Sequence, residues 1–125
     1  MDVTPLIREG RQVIESYGDG GFTISGVAFT GPTIIFPERT IEWVGATADG
    51  FSVEMFAPVF EAEDVPEILL FGCGAKIVFV SPTLRAAIRS RGPVVDAMDT
   101  GAACRTYNIL MTEERRVAAA LLPVG

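Results

Sequence analysis

Along the first half of the chain, apolar and polar residues alternate over short runs. "RQVIESY", the turn "GDGG" and "FTISGVAF" place Val13, Phe22 and Ile24 on one side, the period of a half-buried strand pair. "TGP" at 30–32 makes the next turn, "TIIF" is a short apolar strand ended by Pro37, and "RTIEWV" sets Ile41 and Trp43 on one face. The pattern predicts an antiparallel β-meander to residue 47. "ATADGFSVEMFAPVFEAEDVPE" is less regular. Ser52 is placed to cap a short helix carrying Met55, Phe56 and Phe60, and Pro58 holds that helix to a turn or two.

The period then changes. "EILLF" (67–71) is a continuous apolar run, as in a strand covered on both faces, and "KIVFV" (76–80) reads as a second strand-like segment packed or paired close by. "SPTLRAAIRSRGP" has helix punctuation, with Ser81 at the N-cap, Pro82 at the first position, Gly92 past the end and Pro93 beyond. Leu84, Ala87 and Ile88 form its buried stripe, and Arg85 and Arg89 face water. "VVDAM" (94–98) is the next strand. "DTGAACRTYNILMTEERR" is a second helix capped by Asp99 or Thr100, with Ala103, Tyr107, Leu110 and Met111 inward. "VAAALLPV" fits either a helix by propensity or a buried closing strand by its run of apolar residues. Strand is the reading taken.

The expected fold class is therefore α/β. An N-terminal antiparallel β-meander precedes a C-terminal β-α-β-α-β unit whose mixed sheet is covered by helices. Length supports one compact layered domain, 1–125, since 125 residues suffice to bury roughly two-thirds of the unfolded surface. No apolar run approaches the ~18–20 residues of a spanning helix, so no direct membrane insertion is expected. The start "MDVTPLIREG" has an early acid and no apolar core of a signal peptide, and it is too short and too weakly basic for a mitochondrial presequence. A cytoplasmic location is expected.

Charge and residue types narrow the chemistry. A net charge of −6 argues against nucleic acid as a partner, because phosphate neutralisation needs clustered cations. Histidine is absent, which removes Ser-His-Asp and Cys-His catalysis, the HExxH zinc motif and the commonest base near neutral pH. Cys73 and Cys104 make no disulfide framework and, without histidine, no ordinary zinc site. The acids Glu61, Glu63 and Asp64 read as a solvated turn rather than a metal site. No cofactor, no metal and no enzymatic activity are expected.

Two places keep a ligand-binding alternative open. Gly72, Cys73 and Gly74 follow a strand, where α/β proteins often bind ligands. Position 77 is Ile77, so the dinucleotide fingerprint GxGxxG fails, and no Gly-Lys-Ser/Thr follows for a phosphate loop. Close backbone approach or positive φ accounts better for the glycine pair. Cys73 as a nucleophile needs a stabilised thiolate, for which only Lys76 is at hand in sequence. The start of the second helix, Asp99 and Thr100 onward to Ala103, offers free N–H groups to an anion unless a cap takes them. If the two strand ends adjoin, residues 72–74 and 99–103 share one rim for a small molecule or anion. Arg105 and Asn108 lie on the same helix, off its apolar stripe.

"LLFGCGAK", then "VVDAMDTGAACRTYNILMTEERRVAAALLP", preceded by "GFTISGVAFTGPTIIFP" and the tryptophan of "IEWV", resembles the complex I (NADH:ubiquinone oxidoreductase) assembly factor 3 family and its small bacterial and archaeal relatives. The match spans nearly the whole chain and is most specific at 99–110 and 116–123. The resemblance implies a compact mixed α/β fold closed by the final strand. For mitochondrial members it implies a non-catalytic role that binds another assembly factor and early complex I modules. Relatives commonly carry Gly-Thr-Gly where this chain has Gly72-Cys73-Gly74, and the lack of a presequence suits a bacterial member. The expected function is thus a protein-interaction domain with a protein partner, assisting assembly of complex I or a related membrane complex. The high apolar fraction also leaves homo-oligomerisation open.

Overall fold

The computed structural model describes residues 10–47 and 50–125; the chain start on which the targeting expectation rests lies outside them. Strands β1 (Ile14–Gly18), β2 (Gly21–Ile24) and β3 (Val27–Thr30) form an antiparallel three-stranded sheet in that order. Both connections are two-residue turns whose central residues have positive φ: Asp19 and Gly20 at 52° and 79°, Ser25 and Gly26 at 46° and 83°. Such mirror-image turns match the right-handed strand twist, and Gly supplies their second position without strain. β1 slips register between Ile14 and Ser16. The slip lets Val13 and Ile14, adjacent in sequence, both pack inward, which interrupts the rough alternation expected there.

The expected meander divides. β4 (Thr33–Ile35) and β5 (Thr40–Glu42) leave the first sheet and extend a five-stranded mixed sheet of order β5-β4-β8-β6-β7. Here β6 (Ile68–Gly72) runs parallel to both β7 (Val94–Met98) and β8 (Val117–Leu121), and β4 joins β8 antiparallel. β8 is the closing strand read from "VAAALLPV". Every residue of it is buried, as a central strand covered on both faces requires.

Side chains of the large sheet alternate between two cores. Ile34, Leu69, Phe71, Val95, Ala97, Ala118 and Ala120 face one layer, made by a 3-10 turn (Val53–Phe56), α1 (Ala57–Phe60) and α2 (Pro82–Ser90). Trp43 closes that layer, its ring centroid 5.5 Å from Phe56 and 6.0 Å from Phe71, with its indole N–H donating to Met55 O at 2.6 Å. Ile35, Leu70, Val117, Ala119 and Leu121 face the other layer, formed by α3 (Thr100–Thr112) and by Ile14, Phe22 and Ile24 of the small sheet. Alanines at 118–120 let covering elements approach β8 closely, which a run of larger side chains would prevent.

The helix punctuation holds. Ser81 Oγ accepts from Leu84 N at 3.1 Å, and Ile88 is the buried centre of the α2 stripe. Ser52 occupies the expected cap position, but its side chain makes no capping bond. Pro58 falls in the first turn of α1, where a missing N–H is harmless.

Segment 76–80 corrects the sequence reading. It forms no strand, and Ile77 and Phe79 are 67% and 73% exposed. Gly74, at φ 98°, turns the chain out of the sheet, and β6 already has β7 and β8 on its two edges. No edge is left beside β6 for this segment to pair with. Among the described residues, no helix is long and apolar enough to cross a membrane.

Candidate functional site

The parallel strands β6, β7 and β8 end together, with Gly72 in register with Met98 on one side and Leu121 on the other. This brings residues 72–74 and the start of α3 onto one rim, as expected if the two strand ends adjoin. Thr100 sits at the centre and is fully buried. Its Oγ1 donates to Leu122 O at 2.7 Å and accepts from Gly74 N at 2.9 Å, while its own N–H donates to Gly74 O at 2.8 Å. One threonine thus ties the glycine turn, the helix start and the chain beyond β8.

Gly72 is fixed by crowding. A Cβ there would lie 2.8 Å from Leu121 Cδ2, 3.0 Å from Thr100 Oγ1 and 3.2 Å from Thr100 Cα. Gly74 answers a different need, its positive φ. Asp99 is the N-cap of α3, its carboxylate accepting from Ala102 N at 2.9 Å, so Thr100 is the first helical residue and not the cap. Two of the helix-start donors that would meet an anion, the N–H groups of Thr100 and Ala102, are therefore engaged within the chain at Gly74 and Asp99. No buried side-chain polar atom among the described residues lacks a partner.

Cys73 lies buried in the same turn, its backbone N–H donating to Met98 O at 2.8 Å and its Sγ 3.7 Å from Phe71 O. Burial pushes its thiol pKa up, opposed by backbone hydrogen bonds from Val78 and Met98. Cys104, on the buried face of α3, is pushed up to about 12, chiefly by burial. Neither environment produces the electropositive, accessible setting of a reactive thiolate.

Asn108 is separate from the rim and faces β1. Its side-chain amide accepts from Ile14 N at 3.0 Å and donates to Ile14 O at 2.8 Å, replacing the strand neighbour that β1 lacks at its bulge. Tyr107 supports the same segment, its hydroxyl donating to Gln12 O at 2.9 Å, and burial raises its pKa. Arg105 is exposed on α3 beside Ser16, Tyr17 and Asn108, lining an open groove over β1. Glu61, Glu63 and Asp64 form an exposed turn in which Asp64 pairs with Arg116 at 3.7 Å, and among the described residues no acidic cluster has metal-site geometry.

Sequence reasoning missed an exposed apolar wall. Ile77, Val78 and Phe79 stand at the solvent side of a groove completed by Val80, Pro82, Arg85 and Ala97. Arg85, expected to face water, is exposed yet donates from its guanidinium to Val95 O at 3.1 Å. The signal was present in the charges: residues 75–95 hold Lys76, Arg85, Arg89 and Arg91 and no acid, in a chain of net −6.

The fold is a mixed five-stranded sheet covered on both faces, with a rim at its strand ends closed by its own hydrogen bonds, an architecture that does not by itself assign a function. The chain belongs to the family described as protein of unknown function DUF498/DUF598, whose model matches residues 14–122. It is similar to the mouse NADH dehydrogenase [ubiquinone] 1 alpha subcomplex assembly factor 3, with 36% identity over 110 residues, 88% of this chain and 60% of the relative. The chain thus spans about three-fifths of that mouse relative's length. A crystal structure of a Bordetella parapertussis protein has a TM-score of 0.81 at 34% identity, covering 91% of this chain and 97% of that one. The crystal structure of an outer membrane protein from Bartonella henselae gives 0.81 at 34% identity, with 93% and 98% covered. The expected resemblance and fold class both hold.

Proposed function

We propose that the chain is a non-catalytic protein-interaction domain, acting at the cytoplasmic side to assist assembly of respiratory complex I or a related membrane complex. The observation that carries this reading is the 36% identity to an assembly factor of NADH dehydrogenase over 88% of the chain. Two structural features support it. The rim at Gly72, Gly74, Asp99 and Thr100 is bonded to itself, and both thiols are buried and raised in pKa. An apolar wall at Ile77 and Phe79 remains exposed, as a docking domain requires.

The test is deletion of the gene in its own organism, with NADH:ubiquinone oxidoreductase followed by native gel and NADH oxidation in membranes. Assembly is expected to stall at a partial complex, and re-expression of the chain restores it. Full assembly at the normal rate in the deletion strain overturns the reading.

A further inference from the structure

β7 is an edge strand of the five-stranded sheet. Val94 N donates to Glu67 O and Met98 O accepts from Cys73 N, so Val94, Asp96 and Met98 turn their backbone groups toward β6. Val95 and Ala97 therefore turn theirs outward. Arg85 occupies the outward carbonyl of Val95. The Val95 N–H and both outward groups of Ala97 meet no partner among the described residues. Such an edge is a template for another strand.

The groove beside Ala97 gives that edge side-chain chemistry. Val80 is buried in the core and anchors the loop, leaving Ile77, Val78 and Phe79 as an apolar wall along the groove. Arg85 lines the groove and Lys76 directly precedes the wall in sequence, and neither has a carboxylate partner among the described residues. Asp96 is exposed at the edge, but strand alternation turns it to the face opposite Val95 and Ala97.

We propose that the free edge of β7 and the Ile77–Val78–Phe79 wall bind an extended, acidic and apolar segment of another protein, which adds to the sheet as a sixth strand. Main-chain bonds to the Val95 N–H and to both outward groups of Ala97 give the pairing, alternate apolar side chains pack on Ile77 and Phe79, and acids meet Lys76 and the guanidinium that Arg85 holds at Val95 O. Charge complementarity selects this occupant. A second copy paired edge to edge would bring two acid-free cationic surfaces together, and a lipid surface cannot supply the ladder that the open backbone groups accept. The proposal rests on the reading of the chain as a protein-binding domain. Its test needs no respiratory complex, so its failure is distinguishable from failure of the assembly role.

The probe is a phage library of random peptides about ten residues long, selected on the wild-type chain and counter-selected on the Ile77→Ser/Phe79→Ser double variant. Both changes are on exposed side chains, and circular dichroism checks that the variant folds. The expected result is enrichment of peptides with alternate apolar residues and net negative charge. A synthetic copy of the best one should bind the double variant and Arg85→Glu about tenfold more weakly. By NMR it should slow exchange of the Val95 and Ala97 amides by about tenfold or more. The proposal is overturned by no enrichment, by peptides without acidic bias, or by protection elsewhere than β7. It is overturned equally by a concentration-dependent wild-type dimer that the double variant abolishes, or by binding to phosphatidylglycerol vesicles without peptide binding.

Discussion

Replacing Thr100 by valine tests the closure of the rim. Valine keeps the branched shape and removes only the hydroxyl, which now bonds Leu122 O at 2.7 Å and Gly74 N at 2.9 Å. Thr100 is fully buried, so water does not replace either bond without opening the rim. Each buried group left unpaired costs about 1–2 kcal/mol, giving roughly 2–4 kcal/mol for the pair. For a domain of this size that is a fall in Tm of about 8–15 °C. The Thr100 N–H to Gly74 O bond is main-chain and survives the change.

Thr100→Ser is the control, since it retains the hydroxyl and removes one methyl group, a loss of about 1 kcal/mol. Urea unfolding followed by circular dichroism gives both values, with an unchanged m-value as the sign that the unfolded state is unaltered. The expected order is wild type, then serine, then valine. Valine within ~0.5 kcal/mol of wild type, or less destabilising than serine, would refute the account of Thr100 as the latch.

Other substitutions test the neighbouring elements. Gly72→Ala should lose about 1–3 kcal/mol in the same assay, because Thr100 Cα and Leu121 Cδ2 stand within 3.2 Å of the added carbon; no loss refutes the crowding. Asn108→Ala removes both bonds to Ile14 and should cost about 1–3 kcal/mol, with faster amide exchange in β1, whereas an unchanged β1 would show that the pairing is dispensable. The Cys104 thiol ionises near 9.0 when unfolded and about 12 when folded, so its contribution to stability is present below pH 9 and is lost as pH rises toward 12. Stability should fall by up to about 1.4 kcal/mol per pH unit in that window, with a shallower fall in Cys104→Ala; identical slopes refute the shift.

Much of this arrangement was legible in the sequence, and the failures share one cause. The cap at Ser81 and the stripe Ala103, Tyr107, Leu110 and Met111 are local signals that appear as expected, and of the two candidate caps Asp99 and Thr100 the structure takes Asp99. The apolar run 117–121 gave a central strand because β8 is covered on both faces. Pairing partners are not local. Nothing within "TIIF" says that β4 leaves β3 to join β8, about eighty residues later, and nothing within "KIVFV" says that β6 has no free edge. Asn108 was placed off the apolar stripe correctly, yet its partner at Ile14 is distant in sequence and visible only once α3 lies over β1. Propensity gave 76–80 a strand, and topology overrode it.

The closed rim and the open edge are consequences of one connection. In a parallel sheet the chain leaves each strand at its C-terminal end, where crossing loops ordinarily leave a crevice. Here Gly72 lets Thr100 and Leu121 approach, and Thr100 bonds across the resulting seam, so the crevice between β6 and β8 is filled. The loop leaving β6 is thereby forced outward at Gly74, past the end of β7, before Val80 re-enters the core. Its apolar side chains at 77–79 are left beside the edge strand β7, where the Arg85 guanidinium bonds the Val95 carbonyl. Sealing the usual ligand position and presenting an apolar wall at an edge strand thus follow from the same turn. The glycine pair, which fails the nucleotide-loop patterns in sequence, serves in this fold to close the strand ends and to send an apolar loop to the side of the sheet.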